Sequence, residues 1–206
     1  KAGENDVLIR ITVANRGPEA ASLHVLPTLW ARNFWTAGPA TEQRVPKPRL
    51  TLGKDGAIEA EHGSLGTYRL SFGAVVGGAP PAVLFTENET NTRRLYGIEP
   101  QTPYVKDAFG QYVVHGNRGA VNPKPFGTKA APHYVLDVPA RGQVVLKLRL
   151  AEIEGGVAGA AALGPGFDAV FAERIAEADQ LYAAIMPKHV TADERRIRHV
   201  HTKYEG

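Results

Sequence analysis

The segment LFTENETNTRRLYG, residues 84–97, places many polar side chains directly after a short apolar run. Its candidate contact residues carry carboxylate, amide and guanidinium groups: Glu87, Asn88, Glu89, Asn91 and Arg93. Such a set would suit a sugar-processing site, a metal site or a glycosylation acceptor, because Asn88-Glu89-Thr90 fits the N-x-T pattern. It would equally suit a solvated strand end. The residue types alone leave these alternatives open.

Glu87 and Glu89 are the pair in this segment that most resembles a catalytic one. In extended backbone, residues two apart lie on the same face, about 7 Å from each other. Paired glycosidase carboxylates lie about 5–9.5 Å apart, but they flank the scissile bond. Parallel side chains from one strand leave no slot for a sugar between them. We therefore predict no catalytic residue here, and we interpret 87–94 as a polar strand end and loop that faces solvent or an interface.

The segment LPTLWARNFW, residues 26–35, is a second candidate for contact with sugar. An aromatic ring can stack on the apolar face of a pyranose while neighbouring polar groups bind its hydroxyls. The candidates are Trp30, Arg32, Asn33 and Trp35. The alternative is that these tryptophans belong to the core or to a domain interface. An independent carbohydrate-binding module would need Trp30 and Trp35 exposed as a platform.

The remaining motifs offer weaker chemistry. His199-Val-His201 suits metal binding only on a strand, and no third ligand follows. The other histidines have no ligand spacing, and we interpret them as half-buried residues with satisfied hydrogen bonds: His24, His62, His115 and His133. The chain has neither a G-x-S-x-G motif nor a phosphate loop in a strand-to-helix context. We expect no metal and no cofactor.

The composition argues against several classes of partner. The 206 residues are 43% hydrophobic and 22% charged, which is enough for a sizeable core. The net charge of +3 is small and the basic residues are dispersed, so we expect no nucleic-acid partner. There is no cysteine, hence no disulfide framework or thiolate site. No apolar run approaches about 18 residues and no leader pattern is visible, so we expect no membrane span and a cytoplasmic location.

Period-two alternation of apolar and polar residues predicts β structure over the first two thirds of the chain. In the stretch 7–13, Ile9, Ile11 and Val13 alternate with Arg10 and Thr12. Further strands are predicted at 22–30, 49–52, 57–61, 68–72, 82–87, 111–115, 133–138 and 143–153. The abundant Gly and Pro between these runs favour a two-layer antiparallel β-sandwich over residues 5–153.

The pattern changes after residue 156. Apolar residues recur at three- and four-residue steps from Phe167 to Ile185, which predicts an amphipathic helix over 166–186 that stops at Pro187. We expect the residues nearest the sandwich to anchor this helix and those further along to be more exposed. The expected anchors are Phe167, Phe171 and Ile175, and the expected exposed residues are Leu181, Tyr182 and Ile185. Thr191-Ala-Asp-Glu194 fits a capping box that starts another helix.

Several long segments together carry a resemblance to a known family. They are DVLIRITVANRGPEAASLHVLPTLWARNFW, LFTENETNTRRLYG, PYVKDAFGQYVVHG and AVNPKPFGTKAAPHYVLDVP. In this order they resemble the N-terminal β-sandwich region of large bacterial glucosidase-like proteins related to glycoside hydrolase family 63. The resemblance spans most of residues 5–185.

The resemblance implies a domain organisation and a function. Residues 1–155 would form the sandwich, 156–190 a linker with the amphipathic helix, and 191–206 the start of an (α/α) toroid. In the family, the toroid carries the acidic general acid and general base for inverting hydrolysis of α-glucosidic bonds, so no catalytic position falls in the sandwich. The partner would be the toroid of the same parent protein, with glucose-containing carbohydrate as a further candidate.

The chain departs from the family pattern after Arg198. There the family continues through a long amphipathic helix, whereas this sequence reads HVHTKYEG. We therefore expect the toroid to be missing and this chain alone to lack glucosidase activity. An independent carbohydrate-binding module and a structural or protein-interaction sandwich remain alternative interpretations.

Overall fold

A computed structural model describes residues 1–36, 46–75, 78–153 and 162–187, together with Thr191, Asp193 and Glu194. Within these residues the fold is mainly β. The strands are β1 (Asp6–Ala14), β2 (Ala21–Val25), β3 (Leu29–Trp30), β4 (Arg49–Leu52), β5 (Ile58–His62), β6 (Gly66–Phe72), β7 (Ala82–Thr86), β8 (Phe126–Gly127), β9 (Lys129–Val138) and β10 (Gln143–Glu152). The helices are α1 (Thr92–Tyr96), α2 (Ala108–Val114) and α3 (Pro165–Ile185), with a 3-10 turn at Arg118–Ala120.

The strands form two antiparallel sheets, as the sequence predicts. The larger sheet has the order β1-β10-β6-β5-β4-β8. In the smaller sheet, the long strand β9 pairs with β2 and β3 and also with β7. The N-terminal strand pairs with the last one over its whole length, from Asp6 opposite Ala151 to Ala14 opposite Gln143. Sheet formation therefore joins residues from the two ends of the strand-rich region.

The main core lies between the two sheets. The larger sheet contributes buried residues such as Leu50, Ile58 and Leu148, and the smaller sheet contributes Phe85 and Leu136. The alternation in β1 matches this arrangement, because its predicted inward residues pack against the core while Arg10 and Thr12 are exposed. The β4–β5 hairpin also forms as predicted, closed by the Gly53 amide, which donates to the Ala57 carbonyl (2.8 Å).

Two predicted strands differ in the structure. The predicted strand 22–30 is divided into β2 and β3, which keep one register on β9, with Val25 opposite Tyr134 and Leu29 opposite Ala130. Pro27 lies in the interruption, where it cannot donate a ladder hydrogen bond. The predicted strand 111–115 is wrong, since this segment belongs to helix α2.

Tertiary packing explains why α2 is a helix. The run Tyr112-Val113-Val114 favours a strand by local propensity. However, Ala108 and Phe109 are buried in a second cluster with Leu84 on the outer face of the smaller sheet, and Tyr112 packs at its edge. A helix brings Ala108, Phe109 and Tyr112 to one side, whereas a strand would point the adjacent Ala108 and Phe109 to opposite faces. The predicted loop up to Arg94 likewise contains a helix, because Asn91 caps α1 by accepting a hydrogen bond from the Arg94 amide.

The ring, cation and ion-pair contacts that join helix α3 to the sandwich within the described residues lie in its first two turns. Phe167 is buried and stacks on Phe171, with 5.1 Å between ring centroids. The rings lie under two cations of the β1–β10 ladder, with the Lys147 ammonium 5.3 Å from the Phe167 centroid and the Arg10 guanidinium 4.6 Å from that of Phe171. The Lys147 ammonium also pairs with the Asp168 carboxylate (2.6 Å). These contacts fix where the helix leaves the sheet.

The remainder of α3 matches the predicted exposure at two positions and differs from it at two others. Phe167 is an anchor as expected and Phe171 is half-buried, but Ile175 is 49% exposed, so its prediction as an anchor is wrong. Leu181 and Ile185 are exposed as predicted, at 57% and 59%. Tyr182 is half-buried instead of exposed. After α3, the predicted capping box forms, because the Thr191 hydroxyl accepts from the Glu194 amide (3.2 Å) and the Glu194 carboxylate accepts from the Thr191 amide (2.7 Å).

His24 and His133 form a pair under helix α2 that no sequence spacing indicates. They lie diagonally across β2 and β9, since the register places His24 opposite Val135, and their rings stack with Nδ1 of His24 2.7 Å from Nε2 of His133. The edge of Tyr112 meets the His133 ring, and the Arg118 guanidinium lies over Tyr112. Burial, together with the positive charges of His24 and Arg118, lowers the pKa of His133 below its ordinary value.

We expect this pair to make stability depend on pH. Because folding lowers the pKa of His133, the unfolded chain binds more protons than the folded chain. The free energy of unfolding is therefore highest above about pH 6.5, the ordinary pKa, and it falls as the pH decreases through the folded pKa. Each pKa unit of lowering corresponds to about 1.4 kcal/mol. Urea denaturation between pH 8 and pH 5 should show this loss in the parent chain, and His133→Gln should flatten it. His115→Gln is the control, and an unchanged slope in His133→Gln would contradict the assignment.

Candidate functional site

The polar residues after β7 converge on Lys47. Its ammonium lies 3.0 Å from Oε2 of Glu87 and 2.8 Å from Oε1 of Glu89. The two carboxylate side chains are only 12% and 10% exposed, whereas that of Lys47 is 45% exposed. Two carboxylates that lose most of their water need a compensating charge, and Lys47 supplies it from the solvent side.

Neighbouring donors complete what we call the Lys47 cluster, defined as Asn33, Trp35, Lys47, Glu87, Asn88, Glu89 and Thr128. The indole Nε1 of Trp35 donates to Oε1 of Glu89 (3.1 Å). The hydroxyl of Thr128 donates to Oε2 of Glu87 (2.7 Å) and accepts from the Asn88 amide (2.7 Å). Asn33 donates to the Asn88 carbonyl (2.9 Å), so the segment after β3 is joined to the segment after β7.

A close backbone approach positions Thr128. The preceding residue, Gly127, packs so tightly on β7 that a Cβ there would lie 2.4 Å from the Thr86 carbonyl oxygen. The Thr128 amide then donates to that same carbonyl (3.1 Å), which brings its hydroxyl to Glu87. Only glycine fits at position 127 without moving β7.

The charge state of Lys47 follows from its partners. Burial by itself lowers the pKa of Lys47, but the hydrogen bonds and charges of Glu89 and Glu87 outweigh it, so the pKa lies above 10.5. A raised folded-state pKa means that the stability from this ammonium is fully present below about 10.5 and is lost only as the pH rises beyond the folded pKa. Lys47 is therefore a cation throughout the physiological range.

Four of the predicted site residues lie outside the Lys47 cluster. Trp30 is 56% exposed at the end of β3, and Arg32 is exposed with its guanidinium over the Phe34 ring. Asn91 caps α1 and its amide donates to the Asp107 carboxylate (3.1 Å). Arg93 is exposed and lies 3.3 Å from Glu99. These residues hold surface structure and do not converge on a common point.

The geometry bears on each interpretation of this segment. Glu87 and Glu89 converge on one ammonium, as side chains from one short segment would, and they do not face each other across a cleft. The Asn88 side-chain amide donates to the Ala31 carbonyl (3.0 Å) and is half-buried, which does not suit a glycosylation acceptor. Among the described residues, no group of three His, Asp or Glu side chains could hold a metal ion. His199 and His201 lie outside the described residues.

The tryptophan platform does not form. Trp30 is exposed, but Trp35 is half-buried and its indole nitrogen is bonded to Glu89. Sequence reasoning missed Lys47, Thr128 and Asp107, which lie far from their partners along the chain. One signal was available for Lys47, since the flanking Pro46 and Pro48 favour extended backbone that carries a side chain to a neighbouring strand.

An apolar pocket of about 220 Å³ opens beside Trp30, between β3 and the core-facing side of the larger sheet. Its floor includes Leu50, Ala60 and Leu150, and Leu65 stands at its edge. His62 and Tyr68 also line the pocket, on strands β5 and β6 in phase with Ile58 and Leu70 respectively, but the surface that the pocket presents is almost wholly apolar. No sequence motif indicates this pocket.

Comparison with known proteins gives one relative. No protein-family model matches the chain, and no solved structure matches it. In an alignment 221 positions long, the chain is 28% identical to the uncharacterized protein YMR196W of Saccharomyces cerevisiae. The match covers 94% of this chain. The matched part is 20% of the yeast protein, so the chain spans about a fifth of the relative's length. In the described part of the chain, no helix has the length and apolarity needed to cross a membrane.

Proposed function

We propose that the chain is the non-catalytic N-terminal sandwich domain of a bacterial glycoside hydrolase similar to family 63 α-glucosidases. In this role the sandwich supports or borders an (α/α) toroid of the same parent protein, and the toroid supplies the carboxylates for inverting hydrolysis. The proposal rests on the resemblance of the four segments described above. The mainly β fold followed by a helix is compatible with it, as is a match to only a fifth of a longer relative.

The observation that carries the proposal is the exposed half of α3. Beyond its second turn, the helix presents the apolar side chains of Ile175, Leu181 and Ile185 at about half exposure or more. Leu181 and Ile185 are four residues apart, about 40° around the helix, so they share one face, whereas Ile175 lies about 80° from Ile185 and about 120° from Leu181. Apolar residues repeated along one side of a helix normally cover another surface. A neighbouring toroid helix would provide that surface.

The Lys47 cluster supports a non-catalytic role. A catalytic pair needs one carboxyl group on each side of the scissile bond. Here both carboxylates pair with the same ammonium and accept hydrogen bonds from Trp35 and Thr128. The cluster instead ties together the segments after β3 and β7 and the residues around Pro46. Its polar composition suits an interface between the sandwich and a neighbouring domain, because interfaces between domains of one chain are more polar than obligate interfaces.

We expect the purified chain to show no turnover of α-linked glucosides above the buffer rate. The described residues offer no second carboxylate across a cleft from Glu87 or Glu89, so no general acid and base can act together. Release of glucose from maltose and from p-nitrophenyl α-D-glucopyranoside measures this. The conservative variant Glu87→Gln should behave as the parent chain does. Hydrolysis that Glu87→Gln abolishes would refute the non-catalytic assignment.

Association with a toroid tests the supporting role directly. The chain should bind a separately produced (α/α) toroid of a family 63-like homologue, and the double variant Leu181→Asp, Ile185→Asp should weaken binding at least tenfold, because each charge would be buried against an apolar surface. Sedimentation velocity measures the complex. The matched control is Gln180→Asp, which lies on the same helix at an exposed polar position. Equal binding by the double variant and the control would refute docking through α3.

The carbohydrate-binding alternative retains one favourable observation, the exposure of Trp30. A lone tryptophan gives one stacking face, and Trp35 is committed to Glu89. A structural or protein-interaction sandwich would also show no glucoside turnover. It differs from our proposal in its partner, because it would not bind the (α/α) toroid.

A further inference from the structure

Strand β1 is an edge strand of the larger sheet, and one of its sides has no neighbour among the described strands. Two hydrogen bonds fix which residues bond to β10. The Glu152 amide donates to the Asn5 carbonyl (3.1 Å), and the Asn15 amide donates to the Gly142 carbonyl (2.9 Å). Because backbone groups alternate in an antiparallel ladder, the odd-numbered residues of β1 bond to β10. The even-numbered residues direct their N–H and C=O groups away from it.

Most of this free edge is unpaired within the described residues. At its beginning, Asp6 exchanges backbone hydrogen bonds with Gly3. The backbone groups of the next four even-numbered residues bond to no described residue, and we define the free edge of β1 as these residues: Leu8, Arg10, Thr12 and Ala14. Edge strands are often protected by a bulge or a proline. β1 has neither, since it keeps one register from Asp6 to Ala14.

The core-facing side chains of β1 are also incompletely covered. Ile9, Ile11 and Val13 pack against the core, yet they are only half-buried. Ile58 and Leu148, which lie on strands with a neighbour on each side, are fully buried. A strand on the free side of β1 would cover the half-buried row, because side chains on one face of adjacent strands pack together.

We propose that the free edge of β1 pairs with the same edge of a second copy of the chain. The two larger sheets then join antiparallel across a two-fold axis, with Ile11 opposite Ile11 of the partner subunit. In this register Arg10 lies opposite the partner's Thr12, and Leu8 lies opposite the partner's Ala14. Every N–H and C=O of the free edge gains a partner. The strand is therefore self-complementary, as a two-fold interface requires.

The position of Arg10 selects this register. Moving the partner strand by two residues in one direction would place Arg10 opposite the partner's Arg10, and like charges directly opposite are destabilising. Moving it by two residues in the other direction would leave Leu8 beyond the end of the partner strand. A shift of one residue would oppose free groups with groups already bonded to β10. The interface is independent of the proposed supporting role, because it uses neither the exposed half of α3 nor the Lys47 cluster.

Sedimentation velocity and hydrogen exchange of the whole chain test the association. The chain should pass from monomer to dimer as its concentration rises. Over the same range, the outward amides of Arg10 and Thr12 should become protected from exchange. The amides of Ile11 and Val13 should be protected throughout, because they bond to β10. A chain that stays monomeric, or a dimer that leaves the Arg10 and Thr12 amides unprotected, would overturn the proposal.

Substitutions of Thr12 test the register. Thr12→Glu would oppose a carboxylate to Arg10 in both symmetric pairs and should tighten the dimer roughly fivefold, whereas Thr12→Arg should weaken it roughly fivefold. Thr12→Pro should abolish association and leave the circular dichroism spectrum unchanged, because the N–H that it removes points away from β10. The matched control is the double variant Leu181→Asp, Ile185→Asp, which should dimerise as the parent chain does. Equal effects of glutamate and arginine, dimerisation of Thr12→Pro, or loss of the dimer in the double variant would contradict pairing through β1.

Discussion

Replacing Lys47 with Met is expected to lower the free energy of unfolding by about 2–3 kcal/mol, although nearly half of its side chain is exposed. Removing one partner of a fully buried ion pair costs about 3–5 kcal/mol. The exposure of Lys47 reduces this figure, because water screens the interaction on one side. The cost arises mainly from Glu87 and Glu89, which would remain close together with most of their surface out of water. Equilibrium urea denaturation at neutral pH measures the loss.

A double-mutant cycle identifies the source of that loss. In the Glu89→Gln background, Lys47→Met should cost roughly half as much, because one carboxylate remains to be compensated. Lys124→Met is the matched control, since Lys124 is exposed and forms no ion pair with the described residues, and it should change stability by less than about 0.5 kcal/mol. If Lys47→Met behaved like this control, the Lys47 cluster would contribute no stability and its role as a tie between segments would be wrong.

Replacing Phe167 with Ala is expected to cost about 3–5 kcal/mol, the range for a large buried aromatic residue. The ring is 1% exposed, stacks on Phe171 and lies under the Lys147 ammonium. Its loss removes the main contact between α3 and the sandwich, so the helix should detach as well as leave a cavity. Denaturation followed by circular dichroism measures the first effect, and hydrogen exchange along α3 measures the second.

Ile185→Ala provides the comparison within the same helix. Ile185 is 59% exposed, so its truncation should change stability by no more than about 0.5 kcal/mol. Equal losses for the two variants would mean that α3 is anchored along its length in solution. The argument for a missing covering surface would then fail.

The features that the sequence predicted are those set by local periodicity. Strand β1, the β4–β5 hairpin and helix α3 each display their own repeat, since one side of each element packs inward. Helix α2 was missed because its valines favour a strand locally, and burial of Phe109 against the smaller sheet outweighs that preference.

Part of the candidate site could also be predicted. Glu87, Glu89, Asn33 and Trp35 were identified from residue type, and the structure brings them together. Lys47 was missed because it lies 42 positions before Glu89, and its flanking prolines indicate extended backbone without indicating which residues its side chain meets. The error at Ile175 has another origin, because periodicity shows which side of a helix is apolar but not where its supporting sheet ends.

The pairing of β1 with β10 also affects how the chain is made. Ala14 pairs with Gln143, so β1 cannot enter its sheet until the 129 residues from position 15 to position 143 have been synthesised. At about 5–20 residues per second, the ribosome needs on the order of ten seconds to cover that distance. During this interval the alternating strand is an unpaired template for other nascent chains. Arg10 is exposed on the outer face of β1, and a charged side chain on an unpaired strand opposes pairing with other chains, so one arginine can act against mispairing before it packs over Phe171 in the finished fold.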